Sequence, residues 1–125
     1  MRGNMQIKYY DIGLNLFCKQ FRDPEKIIRE AGENGVCCIL TGTDPKENQQ
    51  IDSFVGNHDA FGTARIHPHN ADRAKQEDFQ QIERLLSENP KIVAVGECGL
   101  DYDRMFSTKE NQIRCLEKHI VIAEK

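Results

Sequence analysis

The chain has 125 residues, 38% hydrophobic and 30% charged, a balance that excludes a disordered segment and gives enough chain for one domain with its own core. Its net charge of −3, from 17 Lys+Arg against 20 Asp+Glu, excludes a broad basic face, so a polyanionic partner must be met by a local site. The longest apolar runs, VCCIL and KIVAVG, fall far short of the roughly 20 residues of a membrane helix, and the stretch MRGNMQIKYYDIGLNL lacks the apolar centre of a signal peptide, so neither a membrane span nor export is expected.

In chain order, KYYDIGLNL (8–16) is the first strand candidate. DPEKIIREAGENG (23–35) follows as a helix, with Asp23 suited to the N-cap, Pro24 to the first helical position and Gly35 to the stop. VCCILTGT (36–43) is a buried strand, rich in apolar residues. DPKENQQIDSFVGNH (44–58) repeats the Asp-Pro helix start, and Asp44 and Glu47 have the spacing of a capping box. AFGTARIH (60–67) is the third strand. A polar helix over about 72–89 carries Phe79, Ile82, Leu85 and Leu86 on one face. KIVAV (91–95) is the fourth strand. The last helix is expected to start at STKE, with Ser107 and Glu110 as a second capping box and Ile113, Leu116, Ile120 and Ala123 along its apolar face. Strands separated by helices pair in parallel through right-handed crossovers. Four such units fit either a small open α/β sheet or the first half of a (β/α)8 barrel. DIGLNLFCKQF has no glycine-rich phosphate loop, which an open sheet of this kind normally carries after its first strand. The last helix runs into IVIAEK without a stop signal. Both features favour the half-barrel, with residues 1–125 as the N-terminal half of a single barrel domain and the C-terminal half absent.

Five cysteines, Cys18, Cys37, Cys38, Cys98 and Cys115, include no CxxC pair. An odd number of thiols without metal spacing points to a reducing compartment, the cytoplasm or, in a eukaryote, the nucleus.

In α/β folds the chemistry lies at the carboxyl ends of the strands. The first strand ends on Asp11 and Asn15. The second ends on TGTD, where Asp44 serves as a helix cap and Thr41 and Thr43 are candidates to face a site. The third ends on IHPHN: His67 and His69, two apart around Pro68, project the same way if extended and suit a metal or a phosphate oxygen. The same pair also suits an exposed loop. His58 and His119 are expected to be an ordinary loop residue and an ordinary helix residue. The fourth strand ends on GECGLD, where Gly96 and Gly99 flank Glu97. Glycines let the backbone turn sharply and hold the carboxylate over the mouth of the sheet, and a carboxylate drawn into a fold calls for a cation or a metal.

The segment IVAVGECGLDYDRMFSTKENQ, together with DIGLNL, ILTGTDPKENQQ and TARIHPH in the same order, resembles the TatD family of metal-dependent deoxyribonucleases, from about Tyr10 to Lys125. The resemblance implies a TIM-like amidohydrolase barrel of which this chain supplies about four β-α units. It also implies hydrolysis of DNA phosphodiester bonds, often from 3′ to 5′, with one or two divalent metal ions such as Mg²⁺. Carried onto this sequence, Glu97 is the metal ligand, His67 the catalytic histidine, and Asn15 and His69 substrate-binding residues. Many relatives read D-x-H-x-H-L at the first strand, where this chain has Gly13 and Asn15, so one usual pair of ligands is missing. Arg65 stands where the family usually has a small residue. Two histidines and an aspartate that the family carries in its second half are also missing. The expectation is therefore a half-barrel that is inactive or nearly so by itself, or that pairs with a second half-barrel or with itself. The alternatives are another metal-dependent hydrolase of the same superfamily, acting on a cyclic amide or small ester, and a non-catalytic product that binds a partner.

Overall fold

The two Asp-Pro pairs act as helix starts. Asp23 and Asp44 accept hydrogen bonds from the amides of Lys26 at 3.2 Å and Glu47 at 2.9 Å, relieving donors that no helical carbonyl can reach. In the computed structural model, which describes residues 6–125, these caps open α1 (Pro24–Glu33) and α2 (Pro45–Val55). The first five residues of the stretch read for an export signal lie outside the described residues. The strands are β1 (Tyr9–Leu14), β2 (Val36–Leu40), β3 (Phe61–Ala64) and β4 (Ile92–Val95). The later helices are α3 (Gln76–Glu88) and α4 (Lys109–Ala123), and a 3₁₀ turn, Pro68–Arg73, fills the link between β3 and α3. No helix among the described residues is long and apolar enough to cross a membrane.

The sheet is parallel throughout and its spatial order is β1-β2-β3-β4. Sequential parallel neighbours joined by right-handed crossovers place every helix on the same side of the sheet, as in one half of a (β/α)8 barrel. The core lies between the sheet and this helix layer, built from Leu40, Ile51, Ala64, Ile82, Leu85 and Ile92 among others. Packing there is close at Gly62. A Cβ at that position would lie 2.4 Å from Ile51 Cγ2 and 3.1 Å from Ile92 Cδ1, so β3 can approach α2 only without a side chain. Both edge strands show apolar side chains to solvent: Tyr9 is 69% and Ile12 75% exposed on β1, and Val93 is half exposed on β4.

The last helix departs most from its sequence pattern. Its N-cap is Thr108, whose hydroxyl accepts from the amide of Asn111 at 3.3 Å, not Ser107. Ser107 is buried and ties the 3₁₀ turn instead, accepting from Asp72 N and donating to His69 O. The buried face of α4 is Gln112, Cys115, His119 and Ile122, while Ile113 and Ile120 are exposed. The capping box at Asp44 is likewise only half made. Glu47 takes the hydroxyl of Thr43 rather than the cap amide.

His119, expected to be an ordinary helix residue, is a buried tie between α4 and the end of β3. Its Nδ1–H donates to Cys115 O at 2.7 Å, and its Nε2 accepts from Ile66 N at 2.9 Å. Burial, with a smaller effect from the Arg65 charge, lowers its pKa below the ordinary histidine value. A proton on Nε2 would set a donor against the Ile66 N–H. The unfolded chain takes that proton more readily than the folded one, so His119 stabilises the fold above its unfolded pKa and loses that contribution as pH falls. Unfolding free energy should decline as pH drops below about 6.5, and this slope should be shallower in His119→Gln. Equal slopes in urea melts of the two proteins would contradict the assignment.

Candidate active site at the strand ends

The four strand ends converge, and the clearest sign is a contact between opposite edges of the sheet. Gly13, near the end of β1, has φ +87°, a conformation that favours glycine. A Cβ there would lie 3.3 Å from Glu97 Oε2. Glu97 follows β4, the other edge strand, so its carboxylate reaches across the open mouth to the backbone of β1. Gly96 has φ +133°, and a Cβ on it would press on Cys98 N at 3.2 Å; glycine at this point lets the chain turn and deliver the carboxylate. Glu97 itself is exposed, so the group at the mouth is open to solvent rather than sealed in.

The segment after β3 supplies the other candidates. Arg65 is buried, and its side chain bridges two further strand ends, Nε donating to Gly42 O at 2.5 Å and Nη1 to Glu97 O at 2.6 Å. Its backbone is held by Asn48 of α2, which accepts from Arg65 N and donates to Arg65 O. Burial lowers the Arg65 pKa, against the opposing fields of Glu97, Glu47 and Cys98.

His67 and His69 lie together, ring centroids 4.1 Å apart, but they are bound differently. His67 Nδ1 accepts from the amide of His69 at 3.1 Å, which leaves the ring proton on Nε2 and makes that nitrogen a donor. Burial first, then the charge of Arg65 and the neighbouring His69, pushes the His67 pKa down to about 4, so near neutral pH the ring is an uncharged N–H donor. This arrangement suits a phosphate oxygen better than a metal ion. His69 Nε2 is taken by Asp101, and its ring stands edge-on to Phe106 at 4.8 Å.

Asp101, unremarked in the sequence beyond its place in GECGLD, organises the loop after β4. It accepts from the amides of Asp103 and Arg104 as well as from His69. Those bonds, the Arg104 amide foremost, hold its carboxyl down at about 2. Gln112 of α4 clamps the same loop. Its Oε1 accepts from Asp101 N at 2.7 Å, and its Nε2 donates to Asp101 O at 3.1 Å and Ser107 O at 2.9 Å. Nothing local in the sequence marks Gln112, since its partners lie across a loop. Thr41 and Thr43 are likewise occupied: the Thr41 hydroxyl meets that of Thr63 at 3.0 Å, and Thr43 binds Glu47. His58 stacks on Phe54 and bonds its carbonyl.

The donors available to a metal are few. Among the described residues no group of three or more His, Cys, Asp or Glu side chains is placed to hold one. Two oxygens do suit a hard cation: the Glu97 carboxylate and Asn15 Oδ1, the one buried side-chain oxygen without a hydrogen-bond partner among the described residues. These are donors of the right kind, and the described residues do not by themselves close a site.

A parallel β/α half-barrel that gathers a carboxylate, an arginine and a histidine pair at its strand ends belongs to the class of barrel proteins with their site at the carboxyl face. The family model of the TatD related DNases matches residues 10–125, and the chain belongs to that family. It is 38% identical over 118 residues to the 3′-5′ ssDNA/RNA exonuclease TatD of Erwinia amylovora, 40% over 118 to that of Erwinia tasmaniensis and 36% over 119 to that of Escherichia coli K12. Each match covers 91% of this chain and 45% of the relative, so the chain spans a little under half the length of these proteins. The crystal structure of YJJV, a TatD homolog from Escherichia coli K12, superposes with a TM-score of 0.77 at 24% identity, over 92% of this chain and 46% of that one. The fold is thus about four β-α units of a TIM-like barrel.

Removing the Gln112 clamp should loosen the loop that carries Glu97. Gln112→Ala is expected to cost about 2–3 kcal/mol, roughly 1 kcal/mol for each lost hydrogen bond, and to speed amide exchange at Asp101. An unchanged Asp101 exchange rate would contradict this role.

Proposed function

We propose that these 125 residues are the N-terminal half of one TatD-type barrel domain, and that the completed barrel hydrolyses phosphodiester bonds of single-stranded DNA or RNA from the 3′ end. The observation that carries this reading is the Glu97 carboxylate standing across the mouth of the sheet against Gly13. In this reading Glu97 is a metal ligand, with Asn15 beside the substrate or its cation. His67 donates Nε2–H to a phosphate oxygen, and His69, held by Asp101, supports the wall where substrate lies. A divalent ion such as Mg²⁺ supplies an activated water and a positive charge for the phosphate. The remaining ligands come from the second half of the barrel.

Pairing with a second half-barrel, or with a second copy, is supported by the edges. Parallel sheets are covered on both faces in nearly all known cases, and unpaired strand edges invite partners. Here Tyr9, Tyr10 and Ile12 on one edge and Val93 on the other are exposed, as are Ile113, Ile120 and Val121 on α4. The free thiols support a reducing compartment such as the cytoplasm.

With Mg²⁺ and a labelled single strand, the assembled enzyme should shorten the strand from its 3′ end. Glu97→Ala should lower that rate by more than about 100-fold, since loss of outer-shell partners alone costs about 10–100-fold. The 125 residues alone should be inactive or nearly so. Retained activity in Glu97→Ala removes Glu97 from the site; full activity from the isolated chain overturns the half-barrel reading.

A further inference from the structure

A buried cation is costly unless a counter-charge or a full set of hydrogen bonds offsets its lost hydration. Arg65 has neither in full. Its residue surface is 8% exposed, and its side-chain bonds go to two neutral carbonyls, Gly42 O and Glu97 O. No carboxylate lies within ion-pair distance of it among the described residues. Its third nitrogen, Nη2, makes no hydrogen bond there either, and it is not among the buried atoms without partners, so solvent reaches it. Two of its three nitrogens are fixed by strand ends and cannot swing away, and Asn48 fixes the backbone from which the side chain leaves. The result is a guanidinium edge, positioned and charged, left open beside the carboxylate that faces Gly13.

We propose that Arg65 is the fixed cationic side of a phosphate subsite at the strand ends, its Nη2 edge donating to a non-bridging oxygen of a nucleic-acid phosphodiester. A guanidinium donates planar, charge-assisted hydrogen bonds that match phosphate oxygens. Glu97 O and Gly42 O orient the cation, which needs no rearrangement when the anion arrives. The neutral Nε2–H of His67 offers a second donor on the same segment. A chain with a net charge of −3 draws no polyanion by its overall field, so a local cation of this kind is what the substrate meets. The identity of the anion as nucleic acid rests on the nuclease reading; the anion site itself does not.

The test uses purified protein freed of metal with a chelator. The Arg65 Nε–Hε resonance is followed while inorganic phosphate, and separately thymidine 5′-monophosphate, is added. Both ligands should shift the resonance in a saturable way. By titration calorimetry, which needs no arginine signal, Arg65→Gln should bind both ligands about tenfold or more weakly than wild type, the loss expected for a charge-assisted hydrogen bond, and Arg65→Lys should recover part of the loss. A resonance that does not move in the wild-type protein overturns the proposal even if Arg65→Gln fails to fold, and so does unchanged affinity in a folded Arg65→Gln. Glu97→Gln, which tests the nuclease reading, should retain phosphate binding. Phosphate bound at Arg65 in the assembled barrel, which then cleaves no strand when Mg²⁺ is restored, would sink the nuclease reading and leave the subsite standing.

Discussion

The backbone from Arg65 to His67 has left the sheet, and each of its amides must find an acceptor outside it. Every one is taken by a different element: Arg65 N by Asn48 Oδ1 of α2, Ile66 N by His119 Nε2 of α4, and His67 N by Thr43 O at the end of β2. A buried donor left without a partner costs about as much as the bond it lacks, so this segment is held in one place by requirement. The same three residues carry the guanidinium that bridges the mouth and the histidine that follows it. The site is therefore positioned by the accounting of backbone hydrogen bonds, and α4, the last element in the chain, is needed to complete that accounting.

From this anchor the rest of the mouth is built outward. Arg65 passes the constraint to β4 by holding Glu97 O, and Gln112 and Asp101 hold the loop that follows. Asp101 then returns to His69, closing a circuit from β3 to β4 and back. Glycine is used where the circuit comes closest to the backbone, at Gly13 and Gly96. The carboxylate of Glu97 ends as an exposed group with a fixed backbone, a suitable state for a ligand that must bind and release.

Much of the fold was legible because its signals are local. Asp23-Pro24 and Asp44-Pro45 mark helix starts by capping chemistry that acts within three residues, and the alternation of apolar runs with amphipathic stretches sets the β/α order. The strand-end rule found the segments with His67, His69 and Glu97, while Arg65 stood out only as a departure from the family pattern. What sequence reading missed depends on partners far along the chain. The buried face of α4 holds Gln112, Cys115 and His119, polar or soft residues that a count of apolar periodicity assigns to the outside, while Ile113 and Ile120 were assigned to the core. Gln112 and His119 are buried because backbone groups 11 and 53 residues away need them, a demand no local pattern displays. The split roles of His67 and His69 were hidden for the same reason, since Asp101 lies 32 residues from its histidine.

We propose that Glu97, held across the mouth against Gly13, is a ligand for a divalent ion. Titration of the assembled protein with Mn²⁺, followed by the paramagnetic relaxation of solvent water, tests it without reference to catalysis. Wild-type protein should show saturable binding, and Glu97→Gln, which keeps the shape and removes the charge, should lose most of that affinity while retaining its thermal stability. Equal Mn²⁺ affinity in the two proteins would contradict the account.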